Sequence, residues 1–107
     1  MDVISVEEGM KRVVNNEKLY HRLLRSFSGK NLVDKIVESV QNENYEEAIT
    51  ACHGLKGIAA NLAMHPLAAA AAEIENCLKA KDSPGDLLPK LLENLEAVEQ
   101  AIEEILQ

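Results

Sequence analysis

Aromatic residues are almost missing from this chain. One Phe, two Tyr and no Trp stand among 107 residues, so Leu, Ala, Val and Ile must build the interior. With abundant Glu and Lys, that palette favours helix over sheet. A surplus of positive charge is missing too. The formal net charge of −7 argues against nucleic acid as a partner, because no basic surface is there to displace counterions from phosphates; it argues equally against anionic membrane surfaces. No apolar stretch approaches the roughly 20 residues that span a bilayer. Asp2, Glu7 and Glu8 stand where a secretory leader would carry basic residues and an apolar run. The expectation is a cytoplasmic protein with no membrane insertion. Cysteine is scarce, and Cys52 and Cys77 lack metal-ligand spacing, so both are expected as reduced, small, partly buried residues. There is no Gly-rich phosphate cradle of the kind an ATP site uses. The length suits one domain, residues 1–107, with a single core.

What is present divides cleanly into helices. Ser5 with Glu8 forms a capping-box pattern that opens a short first helix, ended by Asn15-Asn16. Leu19, Tyr20, Leu23, Leu24 and Phe27 recur at three and four residues and predict a second, halting near Ser28-Gly29. Asn31 with Asp34 is expected to open a third, carrying Leu32, Val33, Ile36, Val37 and Val40 inward. Asn44 with Glu47 opens a fourth, predicted to run to Ala63 or Met64. Pro66 suits the first turn of a fifth, whose inward stripe is Leu67, Ala71, Ile74 and Leu78. Ser83-Pro84 is expected to cap and start the last helix, in which Leu88, Leu91, Leu95, Val98, Ile102 and Ile105 form one apolar seam. Short connections imply antiparallel neighbours. The expected fold is all-α, an antiparallel up-down four-helix bundle with an additional short helical segment at the N-terminus.

Within the fourth helix lies the pentapeptide His53-Gly54-Leu55-Lys56-Gly57. Two glycines inside a helix cost roughly 1 kcal/mol each relative to alanine, a penalty that makes sense if something must come close to the histidine. At 100° per residue, Lys56 and Gly57 share the face of His53 one turn on, and Ala60 two turns on. Leu55 and Leu62 lie near the opposite side, flanked by Ala51, Ile58 and Ala59. With the leucines inward, His53 faces water on a strip of small residues beside a cation.

This segment, continuing Ile58-Ala59-Ala60-Asn61-Leu62, resembles the signature of histidine-containing phosphotransfer (HPt) domains. The resemblance extends upstream through Ile4 to Gly9 and Leu19 to Phe27, and downstream through Leu67 and Ala72-Glu73-Ile74-Glu75. It implies a phosphocarrier in a multistep His–Asp phosphorelay of two-component signalling. Carried onto this chain, His53 is the phospho-acceptor, Lys56 the cation near the phosphoryl oxygens, and Gly57 the space for an incoming aspartyl phosphate. The partners implied are response-regulator receiver domains, with a hybrid histidine kinase upstream, and the Mg²⁺ would come from the receiver; no metal site is expected on this chain. The carrier would not autophosphorylate and is expected to be a monomer. Ala60 and Ala63 stand where the family often has glycine. The expected receiver-facing residues are Ile49, Ala60 and Met64. The rival within the same fold is a helical-bundle module that binds receivers without transferring phosphate.

The chemistry of the residues supports these roles. A neutral imidazole nitrogen is a competent nucleophile near neutral pH, since free histidine titrates near 6.5. A nearby ammonium offsets charge on a transferred phosphoryl group, where positioning and electrostatics supply most of the catalysis. His21 and His65 are expected to be ordinary polar residues, His65 as a cap ahead of Pro66, and three histidines so scattered make no zinc site. Cys52 lies about 100° from His53 and has no orienting acid, which argues against nucleophilic thiol chemistry.

Overall fold

A computed structural model describes residues 2–107. Six helices follow in order: α1 (Val6–Arg12), α2 (Glu17–Arg25), α3 (Gly29–Gln41), α4 (Tyr45–Asn61), α5 (His65–Lys79) and α6 (Leu87–Leu106), with no strand among the described residues. The last four form the bundle: α3 packs on α4, α4 on α5, α5 on α6, and α6 back on α3. The α4–α5 pair is the most intimate. Ala48, Ala51 and Ala59 of α4 and Ala71 of α5 are buried, and small side chains let helix backbones approach. Ile36, Leu55, Leu67, Ile74 and Leu91 fill the centre without solvent exposure. No helix among the described residues is long and apolar enough to cross a membrane.

Several helix starts follow the capping pattern. Ser5 Oγ accepts from the Glu8 amide at 3.3 Å. Asn44 Oδ1 accepts from the Glu47 amide at 3.3 Å while its Nδ2 donates to Glu47 Oε2 at 2.8 Å. Asn16, expected only to end the first helix, also caps the second by accepting from the Leu19 amide at 3.1 Å. Three starts differ from expectation. α3 begins at Gly29 rather than Asn31: the Phe27 ring folds over the bare glycine, where a Cβ would lie 2.2 Å from Cζ, and Ser26–Ser28 make a short connection from α2. α6 begins at Leu87, with Ser83-Pro84 left in the preceding turn and Pro89 in the first helical turn, where a missing N–H costs no hydrogen bond. His65 is the first residue of α5 and not its cap, a position that Met64 takes without a side-chain bond.

The ends of α3, α4 and α5 share one device. In each, a residue with a left-handed backbone follows the cap: Glu43 (φ 59°), Ala63 (φ 57°) and Lys81 (φ 61°). The next amide then reaches back across the turn, from Asn44 to Ser39 O, Met64 to Ala59 O and Asp82 to Cys77 O, at 2.8 to 3.0 Å. At Ala63 the Cβ disfavours this conformation by about 1 kcal/mol. α4 therefore stops at Asn61, shorter than its periodicity predicts.

α1 is tied across the α4–α5 corner. The Ser5 amide donates to Ala63 O at 2.9 Å, and His65 Nε2 meets Glu8 Oε2 at 2.6 Å. That hydrogen bond, opposed by desolvation, holds the Glu8 carboxyl below its ordinary range. Gly9 passes directly over the ring of Tyr20, where a Cβ would sit 2.5 Å from Cε1. The Tyr20 hydroxyl is buried there with no hydrogen-bond partner among the described residues, a situation that costs about 1–3 kcal/mol.

Candidate functional site

The middle of α4 presents His53 to solvent, its side chain 72% exposed, while Cys52 and Leu55 on either side are fully buried. The two glycines beside it are not demanded by packing. A Cβ on Gly57 would meet nothing within 4 Å, and one on Gly54 would only graze Leu32 Cδ2 at 3.9 Å. Their missing side chains leave the surface around His53 open, at a cost to helix stability and with no gain to the fold.

Beneath the histidine lies a carboxylate. Glu75 of α5 is 4% exposed and places Oε2 at 3.5 Å from His53 Nδ1. Lys56 Nζ donates to Glu75 Oε1 at 3.0 Å, and Lys79 Nζ lies 3.0 Å from Oε2. Burial pushes the Glu75 carboxyl up, but the hydrogen bonds from Lys79 and Lys56 and the charges of both outweigh it, and the group stays below its ordinary value. A buried charge is tolerable only when paired in this way. A carboxylate beside Nδ1 favours the tautomer protonated there, which leaves the lone pair on Nε2. One carboxylate and two ammonium groups leave a net positive charge next to an exposed ring nitrogen, an arrangement that can receive an anion and attack it.

The sequence model of the Hpt domain family matches residues 23–107, most of the chain. The chain belongs to the Hpt domain family. Hpt domains serve histidine phosphotransfer in two-component phosphorelays as phosphocarriers rather than classical enzymes, and they meet receiver domains. No curated protein and no solved structure matches the chain significantly.

In this Hpt domain the structure brings His53, Lys56 and Gly57 to one face of α4, and Ala60 follows, half-buried. Ile49 is half-buried against the core edge. Met64 requires correction. It is buried without exposure in the core and cannot face a partner, because the left-handed turn at Ala63 folds the chain inward after α4. Ile58 differs in the opposite sense: expected on the core side, it is 36% exposed, because the N-terminal helices leave a gap over it.

Two residues escaped the sequence reading of the site, Glu75 and Lys79. The signal was available: Glu75 falls between Ile74 and Leu78 on the inward stripe of α5, where a carboxylate must find cations, and Lys79 is one turn on. Cys52 is excluded as a nucleophile, since burial first and the Glu75 charge second push its thiol up to about 12. Cys77 is half-buried, its Sγ donating to Ser83 O at 3.3 Å. A thiol titration of the native protein is expected to modify Cys77 quickly and Cys52 only on unfolding. Equal rates at the two would show that α4 opens far more readily than its packing implies.

Proposed function

We propose that this Hpt domain is a phosphocarrier that accepts a phosphoryl group on His53 from the aspartate of one receiver domain and passes it to another. The observation that carries the reading is the exposed His53 imidazole with its Nδ1 over the buried, doubly paired Glu75. Nε2 attacks the phosphorus, the N–P bond forms, and the bond from phosphorus to the aspartyl oxygen breaks, returning a free carboxylate. The proton on Nδ1 stays in place, so the ring gains positive charge that Glu75 offsets. Lys56, and with it Lys79, can turn from Glu75 toward the phosphoryl oxygens, a movement of flexible side chains at the surface. Mg²⁺ for the transfer comes with the receiver in this reading. The carrier has no autokinase activity of its own, acts as a monomer in the cytoplasm, and draws its phosphoryl group from a receiver such as that of a hybrid kinase.

Incubation with a phosphorylated receiver and Mg²⁺, followed by peptide mapping at alkaline pH, tests the assignment: acid-labile phosphate on the peptide containing His53 supports it. Receiver binding without any phosphate uptake, from receivers or from phosphoramidate, would favour a module that only binds.

Gly57 gives a sharper test of access. Gly57→Ala is expected to stabilise the domain by about 1 kcal/mol in urea unfolding, whereas Gly57→Gln folds as well but slows transfer from the receiver. Unchanged transfer in Gly57→Gln would remove the access role.

A further inference from the structure

We infer that the cleft between α1, α2 and the C-terminal half of α4 is a binding site for a small amphipathic organic anion, separate from the surface around His53. The cavity measures about 540 Å³, within the size range of small-molecule sites. Its apolar wall is built by Val13, Leu23, Phe27, Ile58 and Leu62. Leu23 and Ile58, each 36% exposed, both line this gap.

The polar groups point to the charge of the occupant. Arg12 stands in the lining with Ser26, Ser28 and Asn61. The Arg12 guanidinium is 3.7 Å from Glu8 Oε1, too far for a hydrogen bond, and Glu8 spends its other oxygen on His65. Arg12 is thus ion-paired with Glu8, and its remaining guanidinium donors are the ones a ligand carboxylate, sulfonate or phosphate would engage. The Tyr20 ring is also part of the wall, and its hydroxyl, buried beside Gly9, has no partner among the described residues; a ligand acceptor that shifts the Gly9 edge supplies one. Charge distribution agrees. Seven of the eleven lysines and arginines lie between residues 11 and 35, so the N-terminal helices are locally basic in an acidic protein. Gly9, Arg12, Val13 and Tyr20 line the cleft from the N-terminal helices, ahead of the matched segment, and the other lining residues lie within it. Its α4 wall begins at Ile58, roughly 7 Å along the helix axis from His53.

The test uses 8-anilinonaphthalene-1-sulfonate as the anionic probe, followed by fluorescence and by two-dimensional amide NMR spectra of the folded protein. Saturable binding is expected, displaced by decanoate and not by decanol, with shifts confined to Gly9, Arg12, Leu23, Ser28 and Asn61. Arg12→Gln is expected to weaken the probe roughly tenfold, the loss of one charge-assisted contact. Tyr20→Phe is expected to weaken it as well while raising the melting temperature, because the unpaired hydroxyl is gone; a merely structural tyrosine would not give opposite signs. Absence of saturable binding, shifts spread over the whole bundle, or unchanged affinity in both Arg12→Gln and Tyr20→Phe would overturn the proposal. Phosphotransfer at His53 is scored separately, so loss of either conclusion leaves the other standing.

Discussion

A His53→Gln protein, mixed with a radiolabelled phospho-receiver and Mg²⁺, is expected to acquire no acid-labile, alkali-stable label while the unaltered chain acquires it readily. Glutamine keeps much of the polarity of the imidazole but has no lone pair nucleophilic enough to attack phosphorus. Folding is expected to be unaffected, since the side chain is 72% exposed and its one close partner, Glu75, retains both lysines. Receiver binding should persist for the same reason. Label on both proteins would move the acceptor to another residue. His21 and His65 are then the only histidines left, and His65 is already engaged by Glu8 at 2.6 Å.

The second large effect is expected at Glu75, where Glu75→Leu should slow transfer about a hundredfold, the loss typical of one preorganised electrostatic contact. Without the carboxylate, Nδ1 has no acceptor to hold its proton, and the charge that the ring gains on attack is no longer offset. Stability should fall by about 1–3 kcal/mol, the worth of hydrogen bonds to a buried charge. The sign of the pH effect follows from the depressed carboxyl. Above its ordinary value of 4.5 the contribution is present in full. As pH falls from there through the lower folded value, the unfolded chain binds a proton that folded Glu75 resists, and stability is lost. Glu8 titrates in the same direction, so the comparison that isolates Glu75 is unfolding of wild type against Glu75→Gln across that range. Glutamine should flatten the acid limb and retain more transfer than leucine, because its amide oxygen can still accept from Nδ1. Identical acid limbs and identical transfer rates in all three proteins would remove Glu75 from both roles.

Much of this was legible in the sequence. The periodic leucines and valines of the last four helices gave the bundle, and Ser5 and Asn44 gave helix starts that the hydrogen bonds repeat. The solvent-facing strip at His53, Lys56 and Gly57 also followed from helical angles alone. Those angles failed where the helix did. Met64 lies beyond the left-handed residue Ala63, so extending 100° per residue past Asn61 placed a core residue on the surface. Asn31 with Asp34 carries the capping pattern, yet the helix starts two residues earlier, where the Phe27 ring closes over Gly29, a contact that no capping pattern encodes. The resting partner of Lys56 is Glu75, nineteen residues away on α5, and only the packing of two helices brings them together, so that pairing is not legible in the sequence.

The Glu75 cluster also bears on how a relay chooses its partners. It staples α4 to α5 directly under the histidine, and the groups free to respond are two lysine side chains rather than the backbone. In the proposed carrier role, every receiver would meet the same platform. Under that proposal, discrimination between a donor and an acceptor receiver would fall to the receivers and to their own phosphorylation state rather than to a change of shape in the carrier.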